Sequence, residues 1–228
     1  MIDKNLTWKT HIEYICKKIS KACGSLASLR YCVNTDILRE VYYSLIHSYI
    51  RYGVLVWGNA SDNTLQPLKC LVNRAVRIMT FAPFGRIDLD PIYDYLNILD
   101  LAKVSYLETS KFMYKLKNNI LPTKIGNYFE SNTNRTSTHN YALRERNRIG
   151  SQITPRLVSG KNSMQYRGEL IWNEIPDRIK CCTSLNSFKK AMKSSLLASY
   201  TWIILVYFWL GLFTFGPHLR YSNNCYLS

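Results

Sequence analysis

Between Ile37 and Ile50, apolar residues recur at Ile37, Leu38, Val41, Tyr42, Leu45, Ile46, Tyr49 and Ile50. This i, i+1, i+4, i+5 pattern closes into a single stripe only on a helix of 3.6 residues per turn. On a strand the same residues would be scattered over both faces. The neighbouring segments repeat the pattern, with Trp8, Ile12, Ile15, Ile19, Cys23, Leu26 and Leu29 before it, and Leu65, Leu68, Val72, Ala75, Val76 and Met79 after it. Three amphipathic helices in succession predict a mainly α fold with no large sheet.

Punctuation residues mark the ends of these helices. Thr35 is placed to cap the 37–50 segment and Gly53 to stop it in a left-handed conformation, while Ser61 or Asp62 is placed to cap the third helix. Pro83 and Gly85 break the pattern. Helices are then predicted around Ile92 to Leu99, from Leu101 to Lys117, from Ser163 to Glu174 ahead of Pro176, and from Leu185 to Leu197. The stretch SNTNRTSTHN at 131–140 reads as a loop or hinge, and NYALRERNRIGSQITPRL beyond it fits either a loop or a short β-ribbon.

Charge sets the class of partner. Thirty Lys and Arg stand against 15 Asp and Glu, a formal net charge of +15, which suits a phosphate backbone or an anionic membrane surface. On the helix faces opposite the apolar stripes lie Lys17, Lys18 and Lys21 on the first segment and Arg74 and Arg77 on the third. These are candidate phosphate contacts. Arg144, Arg146 and Arg148, beside Tyr141 and interrupted by Glu145, form a second candidate patch, suited to phosphate contact with base stacking.

Enzymatic signatures are missing from the sequence. It contains no phosphate-binding G-x-x-x-x-G-K-[ST], dinucleotide G-x-G-x-x-G, zinc H-E-x-x-H or nucleophile-elbow G-x-S-x-G. Seven cysteines, none in C-x-x-C spacing, read as small core residues of a reduced, intracellular protein. His47 falls on the polar side of its helix and reads as an exposed residue. Asp88-Leu89-Asp90 reads as turn chemistry before Pro91 rather than a metal pair. The N-terminal MIDKNLTWKTHIEY has no apolar leader region. We therefore expect no catalytic residue, metal, cofactor or small-molecule substrate.

One junction stands out. In YGVLVWG, residues 52–58, two glycines bracket a short apolar run, which reads as a packing corner with Tyr52 and Trp57 buried. Six blocks now fall in order: DKNLTWKTHI (3–12), YYSLIHSYIRYGVLVWG (42–58), LVNRAVRIMT (71–80), KFMYKLKNNILP (111–122), WNEIPDRIK (172–180) and SLNSFKKAMKSSLL (184–197). Together they resemble the C-terminal part of jockey-like non-LTR retrotransposon reverse transcriptases. The resemblance covers residues 1 to about 200 and implies a helical thumb-like region over 1–130. A loop or hinge over 131–162 and a smaller helical C-terminal region over 163–200 would follow. It also implies that the catalytic palm, with its Tyr-x-Asp-Asp motif, and the endonuclease are absent from this chain. The implied partner is nucleic acid, RNA or an RNA–DNA duplex, held through its backbone.

The tail differs in character. Residues 194–219 contain no Asp, Glu, Lys or Arg and include TWIILVYFWLGLFTFG. A bilayer span needs about 20 mostly apolar residues, so 201–228 is a hydrophobic tail with a candidate transmembrane helix at about 198–216. Lys189, Lys190 and Lys193 precede it, against Arg220 beyond it. An alternative reading is therefore a tail-anchored membrane protein whose basic helical body stays cytosolic.

Overall fold

The computed structural model describes residues 4, 6–83, 85, 87–133 and 163–198. Among these the protein is mainly α-helical and no strand occurs. The expectations placed on Arg144, Arg146, Arg148 and Tyr141, on the β-ribbon and on the tail beyond Ala198 lie outside the described residues.

Helix α1 spans Lys9–Leu29 and buries Ile12, Ile15, Ile19, Ala22, Cys23 and Leu26. Helix α5, Asp62–Thr80, packs along it with Leu65, Leu68, Val72, Ala75, Val76 and Met79 inward. Between them the chain forms α2 (Thr35–Tyr42), a π-helical turn (Tyr43–His47), α3 (Ser48–Arg51) and α4 (Val54–Trp57). The cap of α2 is Asn34, whose side chain accepts from the Ile37 amide at 3.0 Å. Thr35 is already inside the helix, because Asn34 holds the extended backbone that a cap needs.

Only half of the 37–50 stripe is core. Leu38, Tyr42, Ile46 and Ile50, one helical turn apart, are buried, whereas Ile37, Leu45 and Tyr49 are exposed. A helix buries one arc of its circumference, and the flanking row falls outside it.

Gly53 takes the left-handed conformation expected of it, φ 68°, and starts the turn into α4. At this corner Trp57 is 1% exposed, and its indole Nε1–H donates to the Tyr52 carbonyl at 2.9 Å. The Tyr52 ring, expected to be buried, is 78% exposed. The corner uses the carbonyl of Tyr52 and leaves its ring outside. Gly58 brings α4 onto α7, Leu101–Lys117, because a Cβ at that position would meet the Val54 carbonyl oxygen at 2.4 Å and Ser105 Oγ at 2.7 Å.

Helix α6 is shorter than predicted, Asp90–Tyr95, and Asn97 turns the chain with φ 54°. Asp100 then caps α7, accepting from the Lys103 amide. Helix α8 spans Thr123–Thr133, and α9 (Met164–Glu174), α10 (Asp177–Lys180) and α11 (Leu185–Ala198) complete the described residues. Helices α9 and α11 pack on α7. Phe188 stacks on Tyr114 with ring centroids 4.5 Å apart, and the Tyr114 hydroxyl donates to the Cys182 carbonyl at 2.6 Å. Ile171, Trp172, Ile179, Phe188 and Met192 thereby join the same hydrophobic core as α1 and α5.

Candidate nucleic-acid interface

The basic residues singled out on α1 and α5 do not share one environment. With the buried row of α1 fixed, 100° per residue carries Lys17 and Lys21 to the outward face, and both are exposed. Lys18 is half-buried, with its ammonium 5.5 Å from the centre of the Tyr14 ring. Arg74 is exposed on α5 and lies toward α1. Its charge acts on the buried Cys23 thiol, which donates to the Leu71 carbonyl, and opposes the upward pKa shift that burial imposes there.

Arg77 points elsewhere. It lines a cleft of about 360 Å³ with Asn73, Asp88, Asp90, Tyr93 and Asp100. Its Nη2 donates to the Gly85 carbonyl at 3.1 Å. One turn along α5 is enough to move a guanidinium from the α1 side to the loop before α6. Asp88 Oδ1 accepts from the Asp90 amide at 3.0 Å, so this carboxylate shapes the turn, as its position before Pro91 suggested.

Ion pairs separate the open cations from the occupied ones. Among the described residues, Arg39, Arg51, Lys69, Lys111 and Lys180 pair with carboxylates. Lys17, Lys18, Lys21 and Arg74 form no ion pair there. Lys17, Lys21 and Arg74 thus keep both exposure and charge.

A second basic concentration escaped the sequence reading because it is assembled from opposite ends of the chain. On the α2–α3 side, Arg39, Tyr43, His47 and Arg51 recur every four residues; α11 brings Lys189 and Lys193 against them. Lys193 Nζ donates to the Asn97 carbonyl at 3.0 Å and lies 5.9 Å from the centre of the Tyr43 ring. The Tyr43 hydroxyl donates to the same carbonyl, also at 3.0 Å. Glu108 is the counter-charge here, accepting from Arg51 Nε at 3.1 Å and from Lys111 Nζ at 2.7 Å. The i, i+4 spacing of Lys189 and Lys193 was visible in the sequence; the surface they would join was not.

His47 is the centre of this cluster and is not the exposed residue expected. Burial lowers its pKa to about 4, with the charges of Arg51, Lys193 and Lys189 acting in the same direction and Glu108 opposing them. Its ring sits 5.1 Å from that of Tyr43 and 6.4 Å from that of Tyr42. A neutral imidazole beside three cations adds no charge of its own.

No group of three His, Cys, Asp or Glu among the described residues is arranged to hold a metal ion, and no helix among them is long and apolar enough to cross a membrane. The comparisons with known proteins add no relative. No family model, curated protein or solved structure matches this chain.

Proposed function

We propose that this chain is a non-catalytic, thumb-like helical body of jockey-like reverse-transcriptase ancestry that grips a nucleic acid by its backbone. The C-terminal helical region over 163–200 belongs to the same body in this reading. The observation that carries it is the exposed set Lys17, Lys21 and Arg74 on two packed helices, none of them paired with a carboxylate among the described residues. These cations supply point charges at helical spacing and no geometry for reading base edges, so they suit sequence-independent contact with phosphates. RNA or an RNA–DNA duplex is the partner that the ancestry favours.

Salt dependence tests it. Each phosphate neutralised contributes about −0.9 to the slope of log K against log salt on a duplex. Titration of an RNA–DNA duplex into the full-length chain should therefore give a steep slope. Replacing Lys17, Lys21 and Arg74 together with Gln should flatten that slope by about 2 to 3. Arg77→Gln, whose side chain is committed to the cleft, should leave it unchanged. An unaltered slope in the triple variant assigns those cations to a solvated face and sinks the reading.

The uncharged run 194–219 favours a second reading, a tail anchor that holds the basic body at a membrane. Fractionation of cells expressing the full chain and a chain ending at Tyr200 tests it. The full chain should sediment with membranes and be released by detergent, whereas the shortened one should not sediment. A full-length chain recovered as soluble monomer excludes the anchor.

A further inference from the structure

The C-terminal ends of α1 and α5 meet in a group that the phosphate-binding face does not use. Arg30, the residue that ends α1, lies with its guanidinium carbon 4.6 Å from the centre of the Tyr31 ring and 4.5 Å from that of Phe81. The two rings are edge-to-face with centroids 5.6 Å apart, and an Arg30 Nη2 hydrogen bonds the Tyr31 hydroxyl. Both rings stand out of the core: Tyr31 is 73% exposed and Phe81 54%.

Two further facts set this group apart from a simple latch between helix ends. A latch gains from covering its rings, and these are open. Phe81 also holds the left-handed position after α5, φ 55° and ψ 20°, with its amide donating to the Arg77 carbonyl. Glycine is the residue that this position favours, because a Cβ there is strained. A bulky aromatic at a strained, exposed turn is the kind of outlier from which a binding role is inferred.

We propose that Tyr31 and Phe81, with Arg30 between them, form a stacking platform for an unpaired nucleobase. Aromatic faces with a neighbouring guanidinium take any base, since every base offers a π-face, and such platforms accompany basic tracks that follow the backbone. That track is at hand. Arg74 stands seven positions before Phe81 and, at 100° per residue, on the same side of α5, an axial rise of about 10 Å. This is the span of about three stacked nucleotides. The platform thus rests on the backbone-binding reading and narrows it, to a strand carrying at least one unpaired base next to the gripped phosphates.

The test compares two probes on the full-length chain: a short single-stranded oligonucleotide, and an abasic strand with the same length and number of phosphates. The base-bearing strand should bind about tenfold more tightly, within the range set by stacking one base on an aromatic side chain. Phe81→Gly keeps the turn, because glycine suits its φ, and removes the ring; Tyr31→Ala removes the other ring from an exposed site. Each should erase most of the tenfold preference while leaving affinity for the abasic strand unchanged. Equal binding of the two strands by the unmodified chain, or a preference that survives both substitutions, overturns the platform and leaves backbone binding in place. Failure to bind either strand overturns both.

Discussion

Trp57→Ala should lower the stability of the fold by about 3–5 kcal/mol, the cost typical of removing a fully buried large aromatic side chain. The indole is enclosed where α4 turns between α3 and α7. It packs beside His11 of α1 at 6.1 Å between ring centres and donates to the Tyr52 carbonyl. Alanine loses both the buried area and the hydrogen bond that closes the corner. Since a domain of this size has only about 5–15 kcal/mol in all, the variant should unfold at a much lower denaturant concentration. Trp57→Phe restores part of the volume and should recover part of the loss. Gly58→Ala should destabilise by another route, about 1–3 kcal/mol from overpacking, because the obstructing Val54 oxygen belongs to the backbone and cannot rotate away. Denaturant melts followed by circular dichroism check all three. A Trp57→Ala midpoint within error of the unmodified protein would remove the corner from the account of this fold.

Acidification should destabilise the protein through His47. In the unfolded chain its imidazole titrates near 6.5, and in the folded protein near 4. Between those values the unfolded state binds more protons, so stability rises with pH across that window and is lost as pH falls through it. With allowance for the partial exposure of the ring, the loss between pH 7 and pH 4.5 is about 2 kcal/mol. A protonated His47 would face Arg51, Lys189 and Lys193 with Glu108 as the opposing charge. Carboxylates titrate in the same range, so the informative quantity is the difference from His47→Asn, which carries no charge at either pH. The unmodified protein should lose about 2 kcal/mol more than that variant on going from pH 7 to pH 4.5. Parallel losses would show that the imidazole is not shielded.

These two sites also show where sequence reasoning succeeds and where it stops. Periodicity located α1 and α5 because a long amphipathic helix repeats its signal over many turns; the predicted helix Leu101–Lys117 also matches α7 at both ends. It could not tell that Ile37, Leu45 and Tyr49 lie beyond the buried arc, since their chemistry equals that of Leu38, Ile46 and Tyr42. The very short α4 and α10 carry too few turns to show a period. Side-chain destinations were less legible still. Arg74 and Arg77 read alike as exposed cations, and only the path of the loop through Gly85 draws one of them into a cleft. His47 was read as exposed because its own helix leaves it off the apolar row; the charges that reach it from α7 and α11, Glu108, Lys189 and Lys193, lie far away in sequence.

The stack of Tyr114 on Phe188 has a consequence for the timing of synthesis. The Cys182 carbonyl that receives the Tyr114 hydroxyl lies 68 residues downstream. At about 5–20 residues per second a ribosome needs roughly 3–14 seconds to make that stretch. For most of this interval α7 exists without α9 and α11, which cover Met113 and Tyr114, long after an isolated helix has had time to form. The α7–α11 seam is therefore the last part of the core to close on a growing chain, and the nascent protein depends on whatever shields α7 until Phe188 arrives.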